Sequence, residues 1–446
     1  MKQFVAAILG CALLVGGLLG AEKSPEYLNS WPQWRGPMAN GVAPAGNPPV
    51  EWSETRNIAW KVALPGKGHS TPIIWGNQIF IQAAVETEKA AAAAPGNAAP
   101  EQRIMRMPVN RASKVHRFVL LSLDRQSGKV LWERTVREGR PEEGTHEFGS
   151  WASASPVTDG ENLYAFFGSR GLYCFDLKGK LLWERDFGKM SIKMEFGEGS
   201  SPALYKDKVI VTWDHEGPSF ITVLDKKTGK ELWKVDREEK TSWASPFVVE
   251  TGGKAQVVTS ATQRIRSYDP ETGQLIWQCG GMTANVIPMP VESNGIVYLM
   301  SGFRGNALLA IRLAEARGDI TDSAAIVWKT SSDTPYTPSP LLYQDRLYFL
   351  KANNGILSCL EARDGKPNYS NQRLEGIANI FTSPVAADNR IYIVGQNGTM
   401  YVVRTGPAFE VLSKNSLEDN FIASPAIVGK QLFLRGYKNL YCVELK

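Results

Sequence analysis

The sequence predicts an all-β fold, an eight-bladed β-propeller, from three observations. A Ser-Pro dipeptide or close variant recurs eight times. A second phrase ending in tryptophan recurs between the copies. A lone tryptophan strand near the N terminus matches a strand missing at the C terminus. The dipeptides are Thr71-Pro72, Ser155-Pro156, Ser201-Pro202, Ser245-Pro246, Met289-Pro290, Ser339-Pro340, Ser383-Pro384 and Ser424-Pro425. After a longer first interval the prolines fall roughly 41–50 residues apart, a period that marks stacked repeats in which each unit buries its core against its neighbours.

The unit that begins at Ser155 shows the element order. Ser155-Pro156-Val157-Thr158, Leu163 to Phe167, Leu172 to Leu177 and Leu181 to Arg185 are short β-branched or aromatic runs, separated by Asp159-Gly160, Gly168 to Gly171 and Lys178-Gly179-Lys180. Four such runs with three turns read as antiparallel hairpins, one blade of a propeller. Proline suits the first position of a strand, where its missing N–H breaks no ladder.

The second phrase joins the third and fourth strands. It is seen at Leu123 to Trp132, Leu224 to Trp233 and Tyr268 to Trp277, each with Asp at its second position and Gly at its sixth. The Asp accepts backbone N–H groups across the turn and the Gly supplies the positive φ that closes it, so local turn chemistry accounts for the carboxylate and no Ca²⁺ loop is required. The recurrent tryptophan is expected to fill the gap between adjacent blades, with Trp60, Trp183 and Trp328 in the same place.

The last unit starts at Pro425 and has room for three strands, whereas Trp60 lies on a strand with no blade before it. Pairing these two segments closes the ring and removes exposed edges. The propeller therefore spans 57–446, preceded by a segment at 22–56 that holds Trp31-Pro32-Gln33-Trp34-Arg35-Gly36-Pro37. An insertion at about 86–114, rich in Ala, Pro and charge, reads as a surface loop. A smaller extension lies between Leu309 and Ile326.

Residues 1–21 have a secretory signal layout: Met1-Lys2-Gln3, an apolar run from Phe4 to Leu19, then Gly20-Ala21. Export to the periplasm or the extracellular space is expected, by cleavage rather than by lipidation of Cys11, and nothing after Lys23 reads as a transmembrane helix. A formal charge of +5 spread along the chain gives no basis for nucleic-acid binding. Cys174, Cys359 and Cys442 occupy one repeat position in three units, too far apart to bridge, so they and Cys279 are expected as buried free thiols. The four histidines lie apart and there is no Cys-x-x-Cys, so no metal site is expected.

Ser-Pro followed by a blade ending in Leu-Asp-x-x-Thr-Gly-x-x-x-Trp resembles the repeat of the pyrroloquinoline-quinone (PQQ) family of propellers, over nearly the whole chain after residue 21. The Trp31 to Pro37 motif and Pro65-Gly66-Lys67-Gly68-His69-Ser70-Thr71-Pro72 look like the opening of a large group of exported PQQ-like bacterial proteins. Two better understood relatives frame the function: the propeller lipoprotein of the outer-membrane β-barrel assembly machinery and the quinoprotein alcohol dehydrogenases. The first implies a non-catalytic binding or assembly scaffold of the cell envelope with a protein or peptide partner. The second implies PQQ with calcium at the ring axis and oxidation of an alcohol or sugar. Quinoprotein dehydrogenases of this type carry an adjacent cysteine pair and pass electrons to a haem. This chain has neither Cys-Cys nor Cys-x-x-Cys-His, so the scaffold reading, with no resident cofactor and no catalytic residue, is preferred. A monomer is expected.

Alternating strand direction puts the loops from fourth strand to next first strand on the same face as those from second to third strand. The first set brings His69, Ser70, Trp151, Glu198, Trp243, Asn285, Tyr336, Phe381 and Phe421 toward the axis. The second contributes Arg170, Arg264, Arg304 and Arg435, and the insertion should overhang this face. Aromatics mixed with arginines make a recognition surface for a partner, or for a small anionic or sugar-like ligand. Glu198 is the one acid this argument places near the axis, and a lone acid makes no acid–base pair.

Overall fold

Each Ser-Pro or its variant opens a blade of four antiparallel strands, to which blade 4 adds a fifth, and eight such blades close into a propeller. The computed structural model describes residues 23–91 and 109–445, so the predicted signal peptide at 1–21 lies outside the described residues. Blade 2 is representative. Val157–Thr158, Asn162–Phe166, Leu172–Asp176 and Leu181–Arg185 pair in chain order. Its inner strands are buried and its outer strand faces solvent, with Trp183 alone half-buried. Blade 8 takes Ala426–Val428, Gln431–Arg435 and Asn439–Val443 from the C terminus and Ile58–Ala63 from the N terminus as its fourth strand, with Trp60 opposite Cys442 and Lys61 opposite Tyr441. Ring closure is thus made by antiparallel pairing of the two ends of the chain. Among the described residues, no helix is long and apolar enough to cross a membrane.

The prolines do less to hold the ring than the residues before them. The Thr71 N–H donates to Ser155 Oγ, Ser155 N–H to Ser201 Oγ, and Ser201 N–H to Ser245 Oγ, each at 2.9 Å. The series resumes from Met289 to Ser339, Ser339 to Ser383 and Ser383 to Ser424, again at 2.9 Å. Each bond passes from one blade to the next. A methionine at 289 offers no hydroxyl, and there the series lapses. These groups are buried, so each bond satisfies a backbone donor that would otherwise be costly to bury.

A second set of contacts ties the outer strands. The indole N–H groups of Trp60, Trp132, Trp183, Trp233 and Trp328 donate to the carbonyls of Arg125, Leu177, Lys226, Pro270 and Ala362, each in the turn of the following blade. The turn glycine lies against the ring. A Cβ on Gly229 would sit 2.6 Å from Trp183, and φ there is +68°, so both the turn and the docking require glycine. The turn carboxylate acts locally: Asp225 Oδ1 accepts the N–H and the hydroxyl of Thr228.

Trp277 departs from the expected pattern. Its indole donates to Gln256 Oε1 of its own blade, and it is fully buried because Gly318–Asp319 pairs with it in parallel as a fifth strand. The extension between Leu309 and Ile326 is therefore a strap over blade 4. The insertion also differs from the loop expected over 86–114. Its described flanks prolong the hairpin of blade 1, from Gln78–Ala90 and Lys114–Asp124, in register as far as Glu86 opposite His116 and then, across a bulge, to Ala90 opposite Lys114. The alternation Val85-Glu86-Thr87-Glu88 carries the strand period that the composition obscured. Val109–Asn110 then pairs with Thr145–His146 in the loop entering blade 2, so the insertion returns to the predicted face.

The four cysteines of the described residues are free and buried, and burial pushes each thiol up.

The N-terminal segment plugs the axis from the opposite face. Trp31 exchanges both backbone bonds with Ile74 of blade 1, and Pro32 O accepts from Thr158 of blade 2. Arg35, 1% exposed, donates to Pro340 O and Pro384 O of blades 6 and 7, both at 2.8 Å, and to Asn40 O at 3.0 Å. Burial without a carboxylate partner lowers its pKa to about 9. Gly36, at φ +73°, lets the chain turn where a Cβ would lie 2.8 Å from the Trp31 ring.

Candidate functional site

The loops that enter the blades run extended toward each Ser-Pro, and successive side chains of an extended chain point to opposite sides. Counting back three residues from each proline gives His69, Ser153, Gly199, Trp243, Ile287, Thr337, Phe381 and Ile422. All eight line one cavity of about 430 Å³ on the ring axis, within the usual range for ligand sites. Ser155, Ser201 and Ser424, one residue before their prolines, line it too. The cavity is a funnel built by repeat symmetry, with one contribution from every blade. Trp34, next to the buried Arg35 plug, reaches it from the N-terminal side.

Longer loops add to the wall. Phe148, His146 and Glu147 come from the loop entering blade 2, and Phe196, Gly197 and Glu198 from the loop entering blade 3. The two loops are locked together. His146 packs edge-on to Phe196 at 5.2 Å, and Arg111 of the insertion pairs with Glu195 at 2.7 Å. Tyr336 stacks on Phe303 at 4.8 Å, and the indole N–H of Trp243 donates to Gly197 O at 2.7 Å.

Of the predicted site residues, His69, Glu198, Trp243, Tyr336 and Phe381 line the funnel. The others fall elsewhere. Phe421 lies four residues before its proline, as the lining residues Glu198 and Tyr336 do, but is fully buried against Tyr441. Ser70 is buried; its Oγ accepts from Gln82 N–H and from Arg435. Arg435, 2% exposed, is a clamp between blades 8 and 1 that also donates to Ser70 O and Gln82 O. Trp151 turns behind the wall, donating to Glu143 O and packing edge-on to His116 at 4.8 Å. Arg170 pairs with Glu142 at 3.0 Å and lies over the Phe118 ring. Arg264 pairs with Asp319 of the strap at 2.6 Å. Asn285 is buried and accepts from Lys193 Nζ. Arg304 is exposed on the rim, over the Phe303 ring. The expected mixture of aromatics and arginines therefore separates: Trp243, Tyr336 and Phe381 face the funnel and these arginines are held outside its wall.

Electrostatics follow that separation. Among the described residues, no Lys or Arg lines the funnel. Desolvation, helped by nearby Arg435 and Lys67, lowers the His69 imidazole to about 3, and desolvation also lowers His146. Both are neutral at pH 7. Glu198 is pushed up to about 7 by desolvation and by Glu143, against the pull of Ser169, which donates its N–H at 2.8 Å and its hydroxyl to the carboxylate, and of Arg170. Six aromatic rings and two carboxyl groups line the funnel.

Comparison with known proteins agrees with this architecture. A family profile described as outer membrane protein assembly factor BamB matches residues 43–194, 116–368 and 261–446. The outer membrane protein assembly factor BamB of Yersinia pestis is 20% identical over 326 residues, 70% of this chain and 76% of that protein. The crystal structure of BamB from Moraxella catarrhalis superposes with a TM-score of 0.53 at 12% identity, covering 81% of this chain and 98% of that one. A computationally designed protein, Ika8, gives a TM-score of 0.55 at 13% identity over 76% and 96% of the two chains.

Proposed function

The chain belongs to the family described as outer membrane protein assembly factor BamB, and on that premise we propose that it is an exported, non-catalytic scaffold of the cell envelope that holds a protein or peptide partner on the loop face. The observation that carries this reading is the ring of eight equivalent residues, one from the approach to each blade, around one aromatic funnel, set on a propeller tied blade to blade. Such a surface is preorganised: its rings are fixed before binding, which lowers the ordering cost of association. Buried aromatic anchors of this kind supply much of the energy at protein interfaces.

The quinoprotein alternative fits the residues poorly. A tricarboxylate quinone would meet Glu147 and Glu198 and no lining cation, and among the described residues no cluster of acids and histidines is placed to hold calcium. The test is co-purification from an envelope fraction. Wild type should retain a specific partner that Trp243→Ala and Tyr336→Ala lose while keeping the β-sheet circular dichroism. Equal capture by both variants would count against the funnel face. A rise in melting temperature with PQQ and Ca²⁺, and retained quinone absorbance, would favour the dehydrogenase instead.

A further inference from the structure

We infer that the axial funnel is an aromatic cage for a cationic side chain, a lysine or arginine carried on an extended segment of the partner. This rests on the scaffold reading and specifies what that face recognises. Three independent features point to a cation. The first is the wall. Trp34, Trp243, Tyr336 and Phe381 reach it from the N-terminal segment and from three different loops, and rings gathered around one space present the negative faces that attract ammonium and guanidinium groups. The Trp243 N–H is spent on Gly197 O, so that indole offers the funnel carbon and π surface.

The second feature is charge. Glu147 and Glu198 are the charged side chains of the lining, and both are acids. Three of the nearby cations are engaged behind the wall, Arg435 with the Ser70 and Gln82 carbonyls, Arg170 with Glu142, and Lys193 with Asn285, while the exposed Lys67 lies close to His69 but is not among the lining residues. Among the described lining residues an anionic ligand would find two carboxyl groups and no Lys or Arg, whereas a cation gains from both acids. The third is the floor. Ser155, Ser201 and Ser424 each accept one backbone N–H in the inter-blade series, which leaves a second lone pair on each hydroxyl for a donor such as an ammonium group.

Glu198 faces Ser169, Glu143 and Arg170 as well as the funnel, and its raised pKa makes the cage pH-sensitive. A bound cation stabilises the ionised carboxylate, so affinity should rise between about pH 6 and pH 8.

The experiment is saturation-transfer NMR on the mature protein with Nα-acetyl-lysine methylamide, the matching arginine, norleucine and glutamate compounds, and N-acetylglucosamine. The expected result is binding of the lysine and arginine probes about tenfold tighter than norleucine, with no glutamate binding. Trp243→Ala and Tyr336→Ala should each weaken lysine binding several-fold, and Glu198→Gln should flatten its pH dependence without altering the circular dichroism. Equal affinity for norleucine, preference for the sugar, or lysine binding unchanged in both aromatic variants would overturn the inference. Its failure is distinct from failure of the scaffold reading. Loss of partner capture in Trp243→Ala without any lysine preference overturns the cage alone, and lysine binding without partner capture overturns the scaffold alone.

Discussion

Phe148 and Phe381 meet with ring centroids 5.3 Å apart, although they come from the loops entering blades 2 and 7, which are not neighbours in the ring. The loop that carries Phe148 thus reaches past blades 1 and 8 to narrow the funnel, and it is the insertion-supported loop that does so, through Val109–Asn110 and Thr145–His146. A double-mutant cycle with Phe148→Ala and Phe381→Ala in urea should give a coupling of about 0.5–1.5 kcal/mol, the usual value of an aromatic pair. Strict additivity would mean that the contact carries no energy of its own.

Glu198 and His69 make opposite contributions to pH-dependent stability. The folded pKa of Glu198 is raised, so its contribution is fully present below the ordinary carboxyl value of 4.5 and is lost as pH rises through about 7. His69 is lowered, so its contribution is present above 6.5 and is lost as pH falls through about 3. The two oppose each other where their windows overlap and are separable only by difference. Denaturation from pH 3 to 8 should show Glu198→Gln gaining on wild type as pH rises from 4.5 to 7. His69→Gln should gain on wild type as pH falls from 6.5 toward 3. Curves parallel to wild type would refute these assignments.

The inter-blade series predicts a cost at a residue with no role in the funnel. Ser383→Ala removes the acceptor of the buried Ser339 N–H, and an unpaired buried donor costs about 1–3 kcal/mol. The same change at the exposed Ser127 of a turn should cost well under half of that by chemical denaturation.

Tryptophan docking predicts intolerance at the turn glycines. Gly229→Ala introduces a methyl against the Trp183 ring at a positive φ, with an expected loss of about 1–3 kcal/mol. Gly252→Ala, also at positive φ but with nothing near the added carbon, separates the two effects: it should carry the backbone cost alone.

The architecture was legible because repetition multiplies weak signals. One Ser-Pro or one Asp-x-x-x-Gly means little, whereas eight at a fixed period determine blade number, and Trp60 with its missing neighbours determines closure. The site was less legible for a reason that is also physical. Composition nominated residues near each proline, but the offset alone does not decide which side chains reach the axis: Phe381, three residues before its proline, reaches it, whereas of the residues four before, Glu198 and Tyr336 line the funnel and Phe421 enters the core. Aligning the repeats by proline and taking every second residue would have found Ile287, Thr337 and Ile422. Nothing in the repeat announces Phe148, Phe196 or Trp34, which arrive from irregular segments. Nor does sequence reveal that Arg435 is consumed by carbonyls of the next blade, since loop arginines that bind ligands and those that bind backbone look alike until the fold is closed.

The most direct test of the funnel as the partner-binding face is photo-crosslinking from two single sites. A benzophenone amino acid is placed at Thr337 on the funnel wall, and in a second protein at Lys254, exposed in the first hairpin turn of blade 4 on the opposite face. Irradiation in intact cells, followed by mass spectrometry, should yield one defined envelope-protein adduct from position 337 and none from position 254. The same adduct from both sites, or from position 254 alone, would contradict the account.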